Sequence, residues 1–397
     1  MTERLSQTAA RKIALHSQWL FNARGRGTEA TLATIEHLGY VQIDTLTVVE
    51  RAHHHTLWNR LGRYHPQDLD QLQRQRQIFE HWAHALAYLP MKDYRFSLPM
   101  MQRIANGETH WYRKDAKETK KVLQRIKTEG PLTAKDFKDK RTSNAMWARS
   151  ASKRALEQLF MEGELMVPHR QNFQKIYDLR ERVLPDDVDT RTPTTEEMAQ
   201  HLTVSYLRAH GIGKAEEIAY QRKGMGPAVR QCLLDMSEQG NIIAVEVNGQ
   251  QHFSTPAALE LTNKPWPRNS VKILSPFDNA VIQRKRIKLL FDYDYQIECY
   301  TVKDKRRYGY FCLPVLWNGD LVARFDAKTD RNSGLLCVLH LHIEKSLRNT
   351  ETFLIQFLKE LKRFATFNSC DKIRIQRISR FEKSFNQGIV ALNTLYE

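Results

Sequence analysis

Two stretches of this chain repeat one order of elements, and that repetition constrains the fold more than any other feature. Residues 117–180 run KETKKVLQRIKTEGPLTAKDF, continue through a helical run ending ALEQLFMEGELMV, and finish PHRQNFQKIYDL. Residues 196–254 run EEMAQHLTVSYLRAHGIGKAEEIAYQ and then GPAVRQCLLDMSEQGNIIAVEVNGQQHFS. Each reads as helix, short turn, helix, amphipathic helix, glycine, and two short apolar strands around a polar turn. In the first, Leu156, Leu159 and Phe160 fall at helical spacing, Gly163 ends the helix, and Leu165–Val167 and Ile176–Leu179 supply the strands. In the second, Val229, Leu233 and Met236 make the stripe, Gly240 stops it, and Asn248-Gly249 is a strong hairpin turn after Ile242–Val247. This order is that of a winged helix, a helix-turn-helix variant whose third helix usually enters the DNA major groove. Paired helices followed by a β-hairpin with no nucleic-acid role would give the same order. Duplication on a basic chain favours the first reading.

Charge points the same way. The 397 residues carry 61 Lys and Arg against 45 Asp and Glu, a net +16 spread along the chain rather than confined to a tail. That describes a folded basic surface and a polyanionic partner. With 41% apolar residues the chain can build several cores. No apolar run approaches the ~18 residues of a membrane span. The N-terminus MTERLSQTAARK lacks the apolar core of a secretory signal. Five cysteines without CxxC pairing suit reduced core thiols, so a cytoplasmic, nucleoid-associated location is expected.

Four regions follow. In 1–115, TAARKIALHSQWLF and TEATLATIEHLG are amphipathic helices, YVQIDT is β-like, and HPQDLDQLQRQRQIFEHWAHALAYLP reads as helical to Pro90. Two helices and a strand there could be a third, degenerate winged helix. The clear units occupy 116–185 and 190–270. LPDDVDTRTPTT at 184–195 links them, and Thr194 or Thr195 caps the next helix with Glu197 placed to close a capping box. In 275–397, short Val-, Leu-, Tyr- and Phe-rich strands alternate with the turn clusters Trp317–Asp320 and Arg331–Gly334, predicting a small antiparallel barrel; ETFLIQFLKELKRFATF and KIRIQRI close it as a helix and a final strand. The fold class is therefore α+β: three tandem winged helices and a C-terminal antiparallel β-barrel.

The most unusual local feature is Gln42-Ile43-Asp44. On a half-buried strand, residues two apart share a face, so Gln42 and Asp44 would present an amide and a carboxylate side by side. Such a pair can hold one water, the amide orienting it and the carboxylate accepting its proton. Alternating polar residues also mark the solvated face of an ordinary strand. Arg51 and the run His53-His54-His55 could contact phosphates or bases in a groove, or form a plain helix surface. They lack the i, i+4 spacing of helical zinc ligands, and with His37, His65, His81 and His84 no Cys or carboxylate framework joins them, so no metal is expected. Two basic stretches lead into aromatic runs: Arg284 and Arg286 in QRKRIK, and Lys305, Arg306 and Arg307 before Tyr308-Gly309-Tyr310-Phe311. They fit phosphate contact with an aromatic wedge at a base step; a solvated helix face and a charged strand edge are the alternatives. Gly211-Ile212-Gly213-Lys214-Ala215 fits the first turn of the second unit better than a phosphate-gripping hairpin. No phosphate loop and no dinucleotide fingerprint is found, and no cofactor is expected.

Taken together, GYVQIDTLTVVERAHHHTLWNRLG, FEHWAHALAYLP, LSPFDNAVIQRKRIKLLFDYDYQIECY and KRRYGYFCLPVLWNGDLVARFDAKTDR resemble the YcaQ/AlkZ group of bacterial winged-helix DNA glycosylases, through nearly the whole chain. The resemblance implies three winged helices braced by a C-terminal barrel, with a basic channel for duplex DNA. It also implies a catalytic motif of Gln, an apolar residue, then Gln or Asp, which Gln42-Ile43-Asp44 matches in its Asp form. That branch implies alkylated purines and interstrand crosslinks as substrates, with the protein acting as a monomer on double-stranded DNA.

The implied chemistry is coherent. An N7-alkylated purine is cationic and already a good leaving group, so the enzyme needs only to stabilise an oxocarbenium-like sugar and supply a water. Asp44 can do both, Gln42 can align the water or sugar, and the product is an abasic site. The rival class is a transcription regulator without catalytic activity, which would read one sequence tightly. A bifunctional glycosylase with lyase activity would rest on Lys214 alone.

Overall fold

The computed structural model describes residues 3–109, 114–137 and 150–379. Part of the helical run expected in the first repeat, 138–149, and the end of the expected barrel, 380–397, lie outside the described residues. The chain forms two compact units that interleave in sequence: Met1–Gly25, Val41–Gly62 and Thr203–Glu397 make one, and Arg26–Tyr40 and Arg63–Leu202 make the other.

In the first unit, two sheets carry the core. The smaller is built on the hairpin Ile243–Val247 and Gln250–Ser254, with Glu3–Leu5 added parallel on one side and Ile212–Gly213 antiparallel on the other. The expected Asn248-Gly249 turn is present, both residues with positive φ, 49° and 71°. The helix Gln7–Ser17 starts where Ser6 accepts the Ala9 N–H at 3.1 Å, and buries Ala10, Ile13 and Ala14 with Ile212, Val245 and Val247. Gly211 is required at the approach to this helix. Its φ is +70°, and an added Cβ would lie 2.2 Å from Ser17 Oγ and 2.6 Å from Ile13 Cγ2.

The larger sheet begins as an antiparallel meander of Val271–Ile273, Cys312–Trp317, Asp320–Asp330 and Leu335–Ile343. Lys372–Ile375 and Ile378–Ser379 then pair parallel with Leu335–Ile343. This corrects the expectation of a wholly antiparallel barrel. The path runs from the Val271 strand to the Lys372 strand without closing on itself among the described residues, so the sheet curls but stays open. The cause is the helix Thr350–Phe367, which stands between two neighbouring strands as a crossover and forces them parallel. Its Phe353, Phe357, Leu361 and Phe364, all fully buried, form a stripe at helical spacing that packs with Leu313, Val315, Phe325 and Val338 of the sheet.

The second unit contains two helix-then-hairpin segments. In the first, the helices Gly27–Leu38 and Pro66–Arg74 precede Ile78–Trp82, paired antiparallel with Leu86–Pro90. Residues 65–90 were expected to be helical throughout, and the hairpin corrects this. The helix stops as Arg76 turns to φ 59°, and the following Ile, Phe, Trp, Leu and Tyr residues prefer a pleated, half-buried surface. Burial completes the switch. Glu80 on this hairpin meets Arg170 at 2.6 Å with both side chains out of water, and Gln73 adds a hydrogen bond at 2.9 Å.

In the other segment, the helices Ala116–Glu129 and Ala151–Met161 precede the strands Leu165–Met166 and Gln174–Leu179. Leu156, Leu159 and Phe160 help fill its core, as their spacing predicted, together with Val122 and Ile126. The capping box also forms: Glu197 N–H donates to Thr194 Oγ1 at 3.1 Å and Thr194 N–H to Glu197 Oε2 at 2.9 Å.

Candidate active site

The motif Gln42-Ile43-Asp44 spans the end of a very short strand. Only Val41–Gln42 is extended in a ladder, and Ile43 and Asp44 already belong to the following loop. The expected strand alternation does not extend to Asp44. Gln42 and Ile43 are buried, while Asp44 is half-buried. Asp44 instead makes a local turn: its Oδ1 accepts the Leu46 N–H at 2.7 Å, two residues on. Burial holds the Asp44 carboxyl above the usual carboxylate range, opposed by that N–H. A carboxylate short of water is a stronger proton acceptor than a surface aspartate, even with one oxygen engaged.

Distant chain segments hold the loop after Asp44. Thr329 N–H and the Arg331 guanidinium donate to the carbonyls of Val48, Thr47 and Val49, at 2.8, 3.1 and 3.4 Å. Glu50 N–H donates to Asn368 Oδ1 at 2.6 Å, and buried Asn368 is itself tied to the Phe364 carbonyl at 2.7 Å. Further on, Arg60 is fully buried with every N–H used. Nε donates to Gln18 O, Nη1 to Thr56 O and Asp278 Oδ2, and Nη2 to Gln18 Oε1 and Asp278 Oδ1, all at 2.8–2.9 Å. The C-terminal sheet and its helix thus fix the backbone on which Asp44 sits.

Several residues expected on a DNA face are elsewhere. His53, His54 and His55 lie on the short helix Ala52–Trp58 and are buried. His55 Nε2 donates to Ile273 O at 2.8 Å, and its ring lies 4.9 Å from that of Phe364. Burial drives His54 down to about 3 and His55 to about 4, so both are neutral and neither can act as a cation on phosphate. The helix is covered by the sheet and the Phe364 helix, which sequence spacing could not foretell. Arg286 is also buried, paired with Glu217 at 2.6 Å. Arg284 is half-buried, its guanidinium donating to Val281 O and Pro276 O and lying over Tyr295 at 4.5 Å. These two arginines lock their helix to its neighbours. Arg51, half-buried, starts the Ala52–Trp58 helix. Lys305 and Arg307 remain exposed, and Arg306 lies over Tyr310 at 4.8 Å. Lys214 Nζ donates to Gln250 Oε1 at 2.7 Å, across from the hairpin it precedes.

Sequence reasoning missed the neighbours of Asp44 altogether. The charge of the Asp44 carboxylate acts through space on the Cys299 thiol and the Tyr300 phenol, adding to the burial that holds both protonated. Nothing in the local pattern of QIECYTV announces this, because only the tertiary fold brings these groups within electrostatic reach of Asp44. Among the described residues no group of three or more His, Cys, Asp or Glu is placed to hold a metal. No helix among the described residues is long and apolar enough to cross a membrane.

A solved structure titled Streptomyces sahachiroi DNA glycosylase AlkZ superposes with a TM-score of 0.64 over 94% of this chain and 100% of that one, at 17% identity, which is a likeness of fold. The family profile described as DNA glycosylase AlkZ-like matches residues 35–367, from before the Gln42-Ile43-Asp44 motif to the last turn of the Thr350–Phe367 helix. With most of its length matched, the chain belongs to the AlkZ-like DNA glycosylase family and is a DNA glycosylase, an enzyme of DNA repair.

Proposed function

We propose that this glycosylase hydrolyses the N-glycosidic bond of N7-alkylated purines, crosslinked ones included, with Asp44 as the catalytic carboxylate and Gln42 as its orienting partner. The observation that carries the reading is the state of Asp44: half out of water, its proton affinity raised, one oxygen fixed by the Leu46 N–H. The other oxygen, Oδ2, is the atom we assign to the water. In the reaction the N9–C1′ bond breaks and its electron pair neutralises the cationic purine. The water oxygen bonds to C1′ and its proton passes to Asp44. Before that transfer the carboxylate charge stabilises the electron-poor sugar. An uncharged leaving base needs no general acid, and the scheme uses no lysine nucleophile, so the product is an abasic site in an intact strand.

The same reading treats the three helix-then-hairpin segments, at 1–115, 116–185 and 190–270, as winged helices that hold duplex DNA through its phosphates, with the protein acting as a monomer. Base release from a duplex carrying N7-methylguanine tests it. Wild type should liberate the base without a nick, and Asp44→Asn should be slower by at least about a hundredfold while still binding. Wild type that releases no alkylated base yet binds one sequence tightly would favour the regulator. Trapping of a covalent complex by borohydride would restore Lys214 as a nucleophile.

A further inference from the structure

We propose that Tyr300 enters the DNA stack next to the damaged nucleotide and holds that nucleotide within reach of Asp44. The inference rests on the reading of Asp44 as the reacting carboxylate. Among the described residues Tyr300 is the most exposed large apolar side chain, at 84%, and Val302 follows it at 64%. Two such side chains two residues apart leave apolar surface in water that a ligand can cover.

The loop that carries them is stiff. Glu298 accepts the N–H groups of Arg307, Tyr308 and Gly309 at 2.8–3.0 Å, and Asp326 accepts those of Tyr310 and Phe311 at 2.9 Å. Arg306 Nε closes the loop on Thr301 O at 2.8 Å. Gly309 has φ +145°, and a Cβ there would lie 2.4 Å or less from Asp326 atoms, so the carboxylate can reach the loop only because the residue is glycine. A tip fixed in this way loses little entropy on binding.

Charge selects the occupant. Lys303, Lys305 and Arg307 are exposed around the tip, with Asp304 as the acidic exception. A cationic rim around an exposed aromatic suits a polyanion with stackable bases, and Asp44 lies within electrostatic reach of the Tyr300 phenol. Duplex DNA meets all three conditions. An apolar protein partner would use Tyr300 and Val302 but not the lysines.

The test uses full-length Tyr300→Ala and Tyr300→Phe with a duplex carrying N7-methylguanine beside 2-aminopurine. Tyr300→Phe should keep base release within a few-fold, because the ring is retained. Tyr300→Ala should bind the damaged duplex or reach half-saturation roughly 5- to 150-fold more weakly, the range expected for one lost stacking contact. In the Asp44→Asn background, binding should brighten the 2-aminopurine when Tyr300 is present and not when it is alanine. The thermal midpoint of Tyr300→Ala should match wild type, since an exposed ring supports no core. Wild-type affinity, rate and fluorescence response in Tyr300→Ala would overturn the inference, as would weakened binding that Phe does not restore. Brightening that depends on Tyr300 in a protein that releases no alkylated base would keep this inference and sink the proposed reaction instead.

Discussion

Asp278→Asn should destabilise the unit that carries Asp44 by a measurable and calculable amount. The change keeps the shape of the side chain. Its Oδ1 can still take the Ala280 N–H, now at 2.9 Å, but the other atom becomes an NH2 facing the Arg60 guanidinium. Both partners are wholly out of water, and Arg60 has no other anion within its hydrogen bonds. Removing one member of such a buried pair costs about 3–5 kcal/mol, because the remaining charge stays desolvated. The unit comprises about 240 residues, whose unfolding entropy at about 2.1 cal/mol/K each comes to about 0.5 kcal/mol/K, so the midpoint should fall by about 6–10 °C. Scanning calorimetry of the full chain reads this directly. Arg60→Met combined with Asp278→Leu should recover about half of the loss or more, since no charge is then stranded. An Asp278→Asn midpoint within about 2 °C of wild type would refute the reasoning, because it would mean that water reaches the pair.

Three further outcomes are expected. Asp44→Asn should leave the thermal midpoint at pH 7 unchanged or raise it: the folded carboxyl titrates above its unfolded value, so the ionised form costs stability at neutral pH, and the advantage of Asn should vanish at pH below about 3.9, where both states are protonated. For the same reason the acid limb of base release should lie above the ordinary aspartate range, and a limb at or below about 3.9 would count against Asp44 as the base. Lys305→Glu and Arg307→Glu should weaken DNA binding and each lower the salt slope by roughly 1, whereas Arg286→Ala should lower the thermal midpoint, by stranding Glu217, and leave the salt slope alone; the reverse pattern in salt titrations would restore Arg286 to the DNA face.

Much of the local structure was legible from pattern alone. The stripe of Leu156, Leu159 and Phe160, the Asn248-Gly249 turn and the Thr194–Glu197 capping box depend on neighbours within a few residues, and all are present. Periodicity and turn chemistry carry such features because the interactions are short-range. The run at 65–90 misled because Gln and Arg continue a helical pattern past Arg74, while the deciding contact, Glu80 with Arg170, lies 90 residues away. The larger sheet is not wholly antiparallel for a similar reason: the crossover helix Thr350–Phe367 makes its flanking strands parallel, and strand order is not written in strand propensity.

Net charge identified a polyanion partner but not which cations would meet it. Side chains from other segments neutralised or buried Arg286 and the three histidines, and left Lys305 and Arg307 in water. At the site, the sequence alone determined that an amide and a carboxylate stand two residues apart. Only the tertiary structure decided what that carboxylate is worth. Its proton affinity is raised by desolvation and opposed by the Leu46 N–H two residues on, and desolvation is a property of the tertiary fold, in which Thr329, Arg331 and Asn368 from the far end of the chain hold the loop after Asp44.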